Sequence, residues 1–289
     1  MTTAAAFDAR WAAVTAGFSR GWIETRQSFT ETVNVIGNAF FPVMSLFALL
    51  MTRGKTVPGT DFSLAAMVLP GLVGFLIVFN GISGPAAGLT ADREDGTLLR
   101  AKATPNGMLG YLIGKIVMFA LTTLLSLVVI FVPGVMLASG DVVLDFRASL
   151  LLALIFIVGM VSTVPLGIAL GSLMKSSIQA MLVPLACSAL LLASGVFYPI
   201  TRLPVWLQSL AQAFPFYWVG LGARSAMLPA EMAAVEIGQS WRTLEMFAVL
   251  GVWSVIGLTL APIMLRRMAR RQSGSALARV RDRYMSKGY

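Results

Sequence analysis

The 289-residue sequence contains no histidine, and its only cysteine, Cys187, lies within an apolar run. Zinc-protease motifs, the Ser-His-Asp triad and histidine proton relays all need an imidazole, so the sequence excludes them. A single cysteine cannot form an intrachain disulfide or a thiolate metal cluster. We therefore expect no catalytic, cofactor-binding or metal-binding residue on this chain.

Charge is also scarce, since only 12% of the residues are charged whereas 57% are hydrophobic and the mean hydropathy is +0.81. A soluble globule needs more polar surface than this, so the composition is typical of a polytopic membrane protein. Six charge-free runs are long enough to cross a bilayer as helices, which predicts an all-α fold in a single transmembrane domain over residues 1–289. The predicted spans are Thr32–Thr52, Phe62–Ala91, Ile116–Gly140, Ala148–Met174, Ser176–Tyr198 and Met246–Leu265.

Two segments outside these runs have the apolar periodicity of amphipathic helices. Residues 7–30 place large apolar side chains at spacings of three, four and seven, which predicts a helix lying in the membrane interface. Residues 199–219 predict a short external helix, re-entrant or flat, that begins near Pro204 and stops at Pro215. Phe216, Tyr217 and Trp218 are expected to follow it at the interface. The apolar stripe of the first helix comprises Phe7, Trp11, Val14, Phe18, Trp22 and Phe29.

The net charge of +9 arises mainly from the end of the chain, residues 266–289. A basic tail beside a span favours anionic lipid as its partner rather than nucleic acid. With the N-terminus inside, sixteen of the 22 Lys and Arg residues fall in inner connections, which predicts that both termini are cytoplasmic. The expected location is the cell membrane, the bacterial inner membrane in particular. The first 27 residues have no uninterrupted apolar core, so no cleavable signal sequence is expected.

Energy coupling is constrained by two further absences. No Asp or Glu falls in the middle of a predicted span, which disfavours a carrier driven by protons or sodium ions. Gly110-Tyr-Leu-Ile-Gly114-Lys115 has the wrong spacing for a phosphate loop and lacks its Ser or Thr, so the chain is not expected to hydrolyse ATP itself. Lys115 is expected instead to extend its side chain to the cytoplasmic surface.

The polar segment 92–107 lies between two apolar runs and must sit in water at one membrane face. It reads Asp-Arg-Glu-Asp-Gly-Thr-Leu-Leu-Arg-Ala-Lys-Ala-Thr-Pro-Asn-Gly, and Gly114-Lys115 follows. This order resembles the loop after the second span of type 2 ABC exporter permeases, including the daunorubicin-resistance-like drug exporters of bacteria. The family pattern is Glu-Arg-Glu-x-Gly-Thr-Leu, then Thr-Pro and Gly-Lys, and Asp92 replaces its first Glu.

A second resemblance begins at Ser194-Gly-Val-Phe-Tyr-Pro-Ile and continues through Leu203-Pro204, Trp206-Leu207 and Phe214-Pro215. It is similar to that family's passage from the fifth span into an external helix. The likeness thus covers nearly the whole chain. It implies a half-transporter that joins a second permease subunit, the same or related, and two copies of an ATP-binding cassette subunit. ATP and Mg would bind that partner, and no cofactor would bind this chain.

The resemblance also implies two sets of functional residues. The amphipathic helix and residues 92–107 would form the cytoplasmic docking surface, with the ATPase-coupling residues Asp92, Arg93, Glu94, Asp95, Gly96, Thr97, Leu98, Leu99 and Arg100. A path for a hydrophobic or amphipathic drug, antibiotic or lipid would run between the second and fifth spans. Its expected lining residues are Phe75, Phe79, Asn80, Met181, Leu185, Ser188 and Leu192.

Three other classes remain as alternatives. An ion-coupled secondary carrier would lack the usual carboxylate at the membrane midplane. A membrane-embedded enzyme would lack a recognisable catalytic constellation. A non-transporting membrane scaffold is compatible with the composition and is distinguished only by a transport or ATPase assay.

Overall fold

The computed structural model of the chain describes residues 3–57, 61–104, 106–138, 140–174 and 176–285. Within these ranges it describes all side chains except those of residues 3–10, 33, 177, 269 and 271–285. Pro105, Lys175 and Lys287 therefore lie outside the described residues, as does the side chain of Phe7.

Ten α-helices make up nearly all of this described part of the chain, and no strand occurs in it. Five of them are long and apolar enough to cross a membrane, and α7 is a shorter apolar helix. The all-α, polytopic prediction is thus confirmed. The helices are α1 Thr3–Ser28, α2 Thr32–Met51, α3 Leu64–Glu94, α4 Thr97–Lys102, α5 Gly107–Leu137, α6 Phe146–Leu173, α7 Ser177–Ala193, α8 Val205–Ala213, α9 Pro215–Met227 and α10 Thr243–Met285.

The core of the bundle is built around α3, which is the most buried of the long helices. It packs against α5, α6, α7 and α9, while α10 packs along α6 and α1 packs along α5. The short helix α4 lies between α3 and α5 at one end of the bundle, called here the α4 end. Helices α8 and α9 belong to the connection between α7 and α10, which lies at the opposite end.

Several predicted boundaries differ from the observed ones. Helix α5 begins at Gly107, nine residues before the expected third span. Most of the polar segment 92–107 is helical too, because it contains the end of α3 and the whole of α4. Helix α10 continues from its apolar part through the basic tail to Met285. Helix α7 has only 17 residues, about 26 Å at 1.5 Å per residue, whereas the hydrocarbon layer is about 30 Å thick.

The connection 199–219 also differs from its prediction. Pro215 ends α8, as expected, but it is also the first residue of a second helix, α9, because proline is well tolerated at that position. Nearly all of α9 is buried, and Tyr217 is fully enclosed by protein. The expectation that Phe216, Tyr217 and Trp218 lie at a membrane interface is therefore wrong, since other helices of the bundle cover them.

Candidate functional site

The polar segment folds as a tight corner between α3 and α5. Gly96 has a φ of +76°, a left-handed conformation that glycine adopts without steric cost, and it turns the chain from α3 into α4. Asp95 Oδ1 accepts a hydrogen bond of 2.8 Å from the Thr97 backbone N–H. Desolvation opposes ionisation of Asp95, but its hydrogen bonds with Thr97 outweigh it and lower its pKa. The corner is therefore held by a charged hydrogen bond that spans Gly96.

The predicted coupling residues divide into an outward and an inward group. Glu94, Asp95, Leu99 and Arg100 are exposed at the tip of the corner, whereas Leu98 is fully buried. Asp92, Arg93, Gly96 and Thr97 are half-buried. Of the two leucines expected to offer apolar contacts to a partner, only Leu99 is thus accessible.

Asp92 points inward to a buried cation. The Lys115 Nζ atom lies 2.7 Å from Asp92 Oδ2 and 2.9 Å from Glu24 Oε2, and Lys115 is only 6% exposed. The expectation that Lys115 reaches the surface is wrong, because these two carboxylates hold it inside the bundle. A buried cation is stable only when it is paired in this way.

Two further side chains complete this ion-pair network. Tyr111 donates a hydrogen bond of 2.7 Å from its hydroxyl to Asp92 Oδ2, and Arg20 Nε lies 2.6 Å from Glu24 Oε1. The Arg20 guanidinium also stacks over the Tyr111 ring, 4.9 Å from its centroid. We call Arg20, Glu24, Asp92, Tyr111 and Lys115 the Lys115 network. Its two cations and two carboxylates join α1, α3 and α5 with no net charge.

The electrostatics of Glu24 follow from this arrangement. Desolvation is the largest single influence and by itself raises the pKa of Glu24. Lys115 and Arg20 together outweigh it, and the pKa is lowered from 4.5. Glu24 is therefore ionised near neutral pH, as the pairing with Lys115 requires.

Close packing of α1 on α5 brings Glu24 within reach of Lys115. Gly17 and Gly21 of α1 face Gly110 and Gly114 of α5. A Cβ atom added at Gly21 would lie 2.7 Å from the Gly114 carbonyl oxygen and 2.7 Å from Val117 Cβ. The two pairs of glycines, each separated by three residues, thus let the helix backbones touch.

The predicted apolar stripe of α1 faces away from α5. Trp11, Phe18 and Trp22 are 62%, 57% and 63% exposed. The face that contacts α5 is instead made of small residues, which include Ala13 and Thr25. Helix α1 is therefore bound to the bundle by its small and charged residues and presents its aromatic side chains outward.

A second polar link leads from the corner to α6. Arg93 Nη1 donates a hydrogen bond of 2.7 Å to the carbonyl oxygen of Met174, directly after the end of α6. The next helix, α7, starts at Ser177. The corner is therefore joined on one side to α1 and on the other to the α6–α7 connection.

The residues predicted for a substrate path lie in two different environments. Phe75 and Phe79 stack on each other with ring centroids 5.2 Å apart, and Phe41 and Phe197 pack around them. Asn80 is half-buried beside this aromatic cluster on α3. On α7, Ser188 is half-buried, but Met181, Leu185 and Leu192 are 74%, 69% and 60% exposed. The α7 side chains thus form part of an outer face of the single chain.

A second buried ion pair lies at the opposite end of the bundle. Arg224 of α9 and Glu236 are 5% and 3% exposed, and Arg224 Nε lies 2.9 Å from Glu236 Oε1. Arg224 Nη1 donates to the carbonyl oxygens of Gly195 and Val196 at 3.0 and 2.9 Å. Arg224 thereby binds carbonyls that follow the end of α7 and helps to fix where that helix stops.

Sequence reasoning missed both buried ion pairs. One signal was available for the first, because Lys115 stands in an otherwise apolar helix and such a cation needs a carboxylate partner. Arg20 and Glu24, four residues apart on α1, gave the complementary signal. No metal-binding cluster of three or more His, Cys, Asp or Glu side chains occurs among the described residues.

The helices and their apolar surfaces define a multi-pass membrane protein whose polar corner is fastened to two neighbouring helices. Residues 13–228 match the model of the ABC-2 type transporter family, so the chain belongs to that family. The matched region runs from α1 to the end of α9 and includes the corner and the Lys115 network. No curated protein matches the sequence.

Membership of this family gives the chain its general role. It is the permease component of an ABC-type transporter, without an ATPase site of its own. Permeases of this family work with an ATP-binding subunit.

Proposed function

We propose that this chain is one half of an exporter that moves a hydrophobic or amphipathic molecule out of the cell. Two such permease subunits, identical or related, associate with two ATP-binding subunits that bind ATP and Mg. The α4 end faces the cytoplasm of a bacterial cell, and both termini lie on that side. The observation that carries the proposal is the exposed tip of the corner, which is anchored to α5, to α1 and to the connection after α6.

The tip has the chemistry of a docking surface for a soluble partner. Glu94, Asp95 and Arg100 provide charge that can orient an approaching protein, and Leu99 provides an apolar contact. Asp92, by contrast, is engaged with Lys115 and is an anchor rather than a contact. Of the nine predicted coupling residues, those at the tip would thus contact the partner, whereas Asp92 would hold the corner in place.

A movement of the tip is transmitted through rigid polar links. Asp92 connects it to Lys115 on α5 and, through Glu24, to α1. Arg93 connects it to the carbonyl of Met174 and so to the start of α7. Closure of the ATP-binding subunits therefore displaces α1, α5 and α7 together, which is the kind of coupled motion that alternating access requires.

The outer face of α7 is the surface we assign to the second permease subunit. It carries Ile178, Met181, Leu182 and Leu185, all more than half exposed. Flexible methionine and leucine side chains suit both a subunit contact and an adaptable substrate wall. With Phe75 and Phe79 behind it on α3, this face forms one wall of the proposed path between two subunits.

Reconstitution with the ATP-binding subunit tests the function. The chain alone should show no ATPase activity, and the complex in vesicles should hydrolyse ATP and transport a lipophilic dye in the export direction. Glu94→Gln combined with Leu99→Ala should lower ATPase stimulation at least tenfold without reducing membrane insertion. Lys55→Gln, an exposed charge at the opposite end, is the control and should behave like the wild type.

Two results would count against the proposal. Transport that persists without ATP and stops when the ion gradient is collapsed would indicate a secondary carrier. ATPase activity that no lipophilic compound stimulates, with no transport of any, would indicate a scaffold.

Orientation is tested separately by thiol labelling. Cys187 is 3% exposed, so a cysteine introduced at an exposed site reports its own position. Leu99→Cys should react with a membrane-impermeant maleimide only after the cells are permeabilised, and Lys55→Cys should react in intact spheroplasts. The opposite pattern would place the α4 end outside and contradict the docking assignment.

A further inference from the structure

The α4 end of the bundle also contains a cationic cavity, which is lined by none of the predicted coupling residues Asp92–Arg100. Its volume is about 250 Å³, and it opens between the end of α4, the start of α5 and α10. Three cationic side chains lie in its lining, and no carboxylate occurs among the described residues that line it. The lining residues are Lys102, Thr104, Asn106, Gly107, Met108, Arg266 and Arg270.

Two helices, α4 and α10, bring these cations together. Lys102 is the last residue of α4, whereas Arg266 and Arg270 stand one turn apart on the same face of α10. Helix α10 packs against both α4 and α5 at this point. The first turn of α5 supplies Gly107 and Met108, so the positive end of a 31-residue helix dipole also faces the cavity. The local field therefore favours an anion.

The position of the cavity along α10 indicates where that anion comes from. The apolar part of α10 extends over Thr243–Met268, and Arg266 is the first charged residue after Glu245 in that range. The cavity thus lies at the depth where a span leaves the hydrocarbon and meets the phosphate groups of the bilayer.

An exposed apolar stripe on α10 leads directly to the two arginines. Val252, Val255 and Ile263 are 57%, 64% and 61% exposed, and Thr259 between them is exposed too. Steps of three and four residues connect this stripe to Arg266 and Arg270, so all six positions share one helix face. An apolar surface that ends in a cationic cavity matches the shape of a phospholipid. Its acyl chains would lie on the apolar stripe, and its phosphate would lie in the cavity.

We propose that this cavity binds the phosphate of an anionic phospholipid headgroup, with the acyl chains lying along α10. Lys102 and the two arginines neutralise the phosphate, since guanidinium groups pair well with phosphate oxygens. The bound lipid would join α4 to α10 and so brace the docking corner from a third side. Such lipid binding would be independent of the substrate and of the direction of transport.

The test measures lipid retention on the purified full-length chain. Native mass spectrometry after titration with phosphatidylglycerol, in detergent with phosphatidylcholine as competitor, gives the apparent affinity for the anionic lipid. Each of Arg266→Gln, Arg270→Gln and Lys102→Gln should weaken retention about fivefold, because a cation near an anionic lipid contributes on the order of 1 kcal/mol. Arg266→Lys, which keeps the charge, should retain the lipid more strongly than Arg266→Gln.

Arg267→Gln provides the matched control. Arg267 is an exposed arginine in the same turn of α10, but it does not line the cavity. Its substitution should change retention less than twofold. An equal loss in Arg266→Gln and Arg267→Gln would mean that the basic helix attracts lipid diffusely, and it would overturn the assignment to this cavity. Thermal unfolding of each variant distinguishes weaker lipid binding from a loss of folded protein.

Two further experiments identify the source of the anion. Glycerol phosphate or inorganic phosphate that displaces phosphatidylglycerol at equal concentration would indicate a site for a soluble anion and refute the lipid proposal. A variant such as Arg266→Gln that loses the ATP-binding subunit in detergent, while it retains phosphatidylglycerol normally, would show that the cavity binds an acidic segment of that subunit instead. Loss of lipid with intact subunit binding is the result expected here.

Discussion

Lys115 lies 2.9 Å from Glu24, so a cation on the long apolar helix α5 is paired with a carboxylate on α1. Asp92 approaches the same ammonium group to 2.7 Å from the end of α3. The family's permeases use an ATP-binding subunit, and the corner that Asp92 anchors is the surface we assign to it. The strength of this pairing should therefore affect both the stability of the bundle and the position of the docking corner.

Replacement of Lys115 should be strongly destabilising. Lys115→Met leaves Asp92 without its cation and Glu24 paired with Arg20 alone, and removal of one partner from a buried ion pair costs about 3–5 kcal/mol. Thermal unfolding of the purified protein in detergent measures this loss. Asp92→Asn combined with Lys115→Met should recover part of it, because the stranded carboxylate is then removed.

Lys55→Met is the control for this substitution, since Lys55 is exposed at the opposite end of the bundle. We expect a change within about 0.5 kcal/mol. Equal stability of the Lys115→Met and Lys55→Met proteins would show that the Lys115 network does not hold α1 in place.

The same network predicts how stability depends on pH. The pKa of Glu24 in the folded protein lies below its ordinary value of 4.5. Ionised Glu24 therefore contributes stability that is fully present above about pH 4.5 and is lost as the pH falls through the folded pKa. Midpoints of thermal unfolding measured between pH 3 and 7 should fall on the acid side, and Glu24→Gln should flatten part of that fall. An unchanged acid limb in Glu24→Gln would contradict the pairing.

Much of the fold follows from the absence of charge in the sequence. A charge-free run of about twenty residues has few alternatives to a membrane helix, so α2, α3 and α6 agree closely with their predicted spans. The start of α5 was misplaced because the charge-free run begins only after Lys115, four residues beyond Tyr111. Their polarity is satisfied by Asp92 and Glu24, which are distant in sequence, and a single-sequence argument does not reveal such partners.

The connection after α7 shows a second reason why part of the fold could not be predicted from the sequence. Pro215 was correctly identified as a break, but the same residue also starts α9, a 13-residue helix with Arg224 in its last turn. A short helix that carries an arginine looks like a surface element from its composition. Its burial depends on Glu236 and on the carbonyls of Gly195 and Val196, which only the three-dimensional structure brings to Arg224.

Replacement of Arg224 should accordingly destabilise the protein more than replacement of a surface arginine. Arg224→Met leaves Glu236 buried without its cation, and we expect a loss of about 3–5 kcal/mol in the free energy of unfolding. Arg202→Met, at an exposed arginine in the same connection, should cost less than about 0.5 kcal/mol. Denaturation followed by tryptophan fluorescence measures the free energy of unfolding of both variants. Similar losses in the two would show that Arg224 does not fix the end of α7.

The contact between α1 and α5 should not tolerate a single added methyl group. A Cβ at Gly21 meets backbone and Cβ atoms at 2.7 Å, and such overpacking costs about 1–3 kcal/mol because neither helix can move alone. Gly251→Ala provides the control, since nothing lies within 4 Å of a Cβ there, and alanine should stabilise α10 slightly. Protease protection of α1 measures the displacement. If Gly21→Ala left α1 as protected as in Gly251→Ala, the close crossing would be refuted.

The corner itself is best tested at a residue whose replacement changes only the backbone. Gly96 has a φ of +76° and open space around it, so Gly96→Ala introduces no clash but costs about 1–2 kcal/mol for the left-handed conformation. Gly54, with a φ of +68° and the same open surroundings, lies at the opposite end, and Gly54→Ala imposes a similar strain. In the reconstituted complex we expect Gly96→Ala to lower substrate-stimulated ATPase activity several-fold. Gly96→Asn should recover part of it, since asparagine tolerates this conformation, and Gly54→Ala should leave it unchanged. An equal effect of the two alanine substitutions would mean that general stability, and not the geometry of the corner, limits coupling.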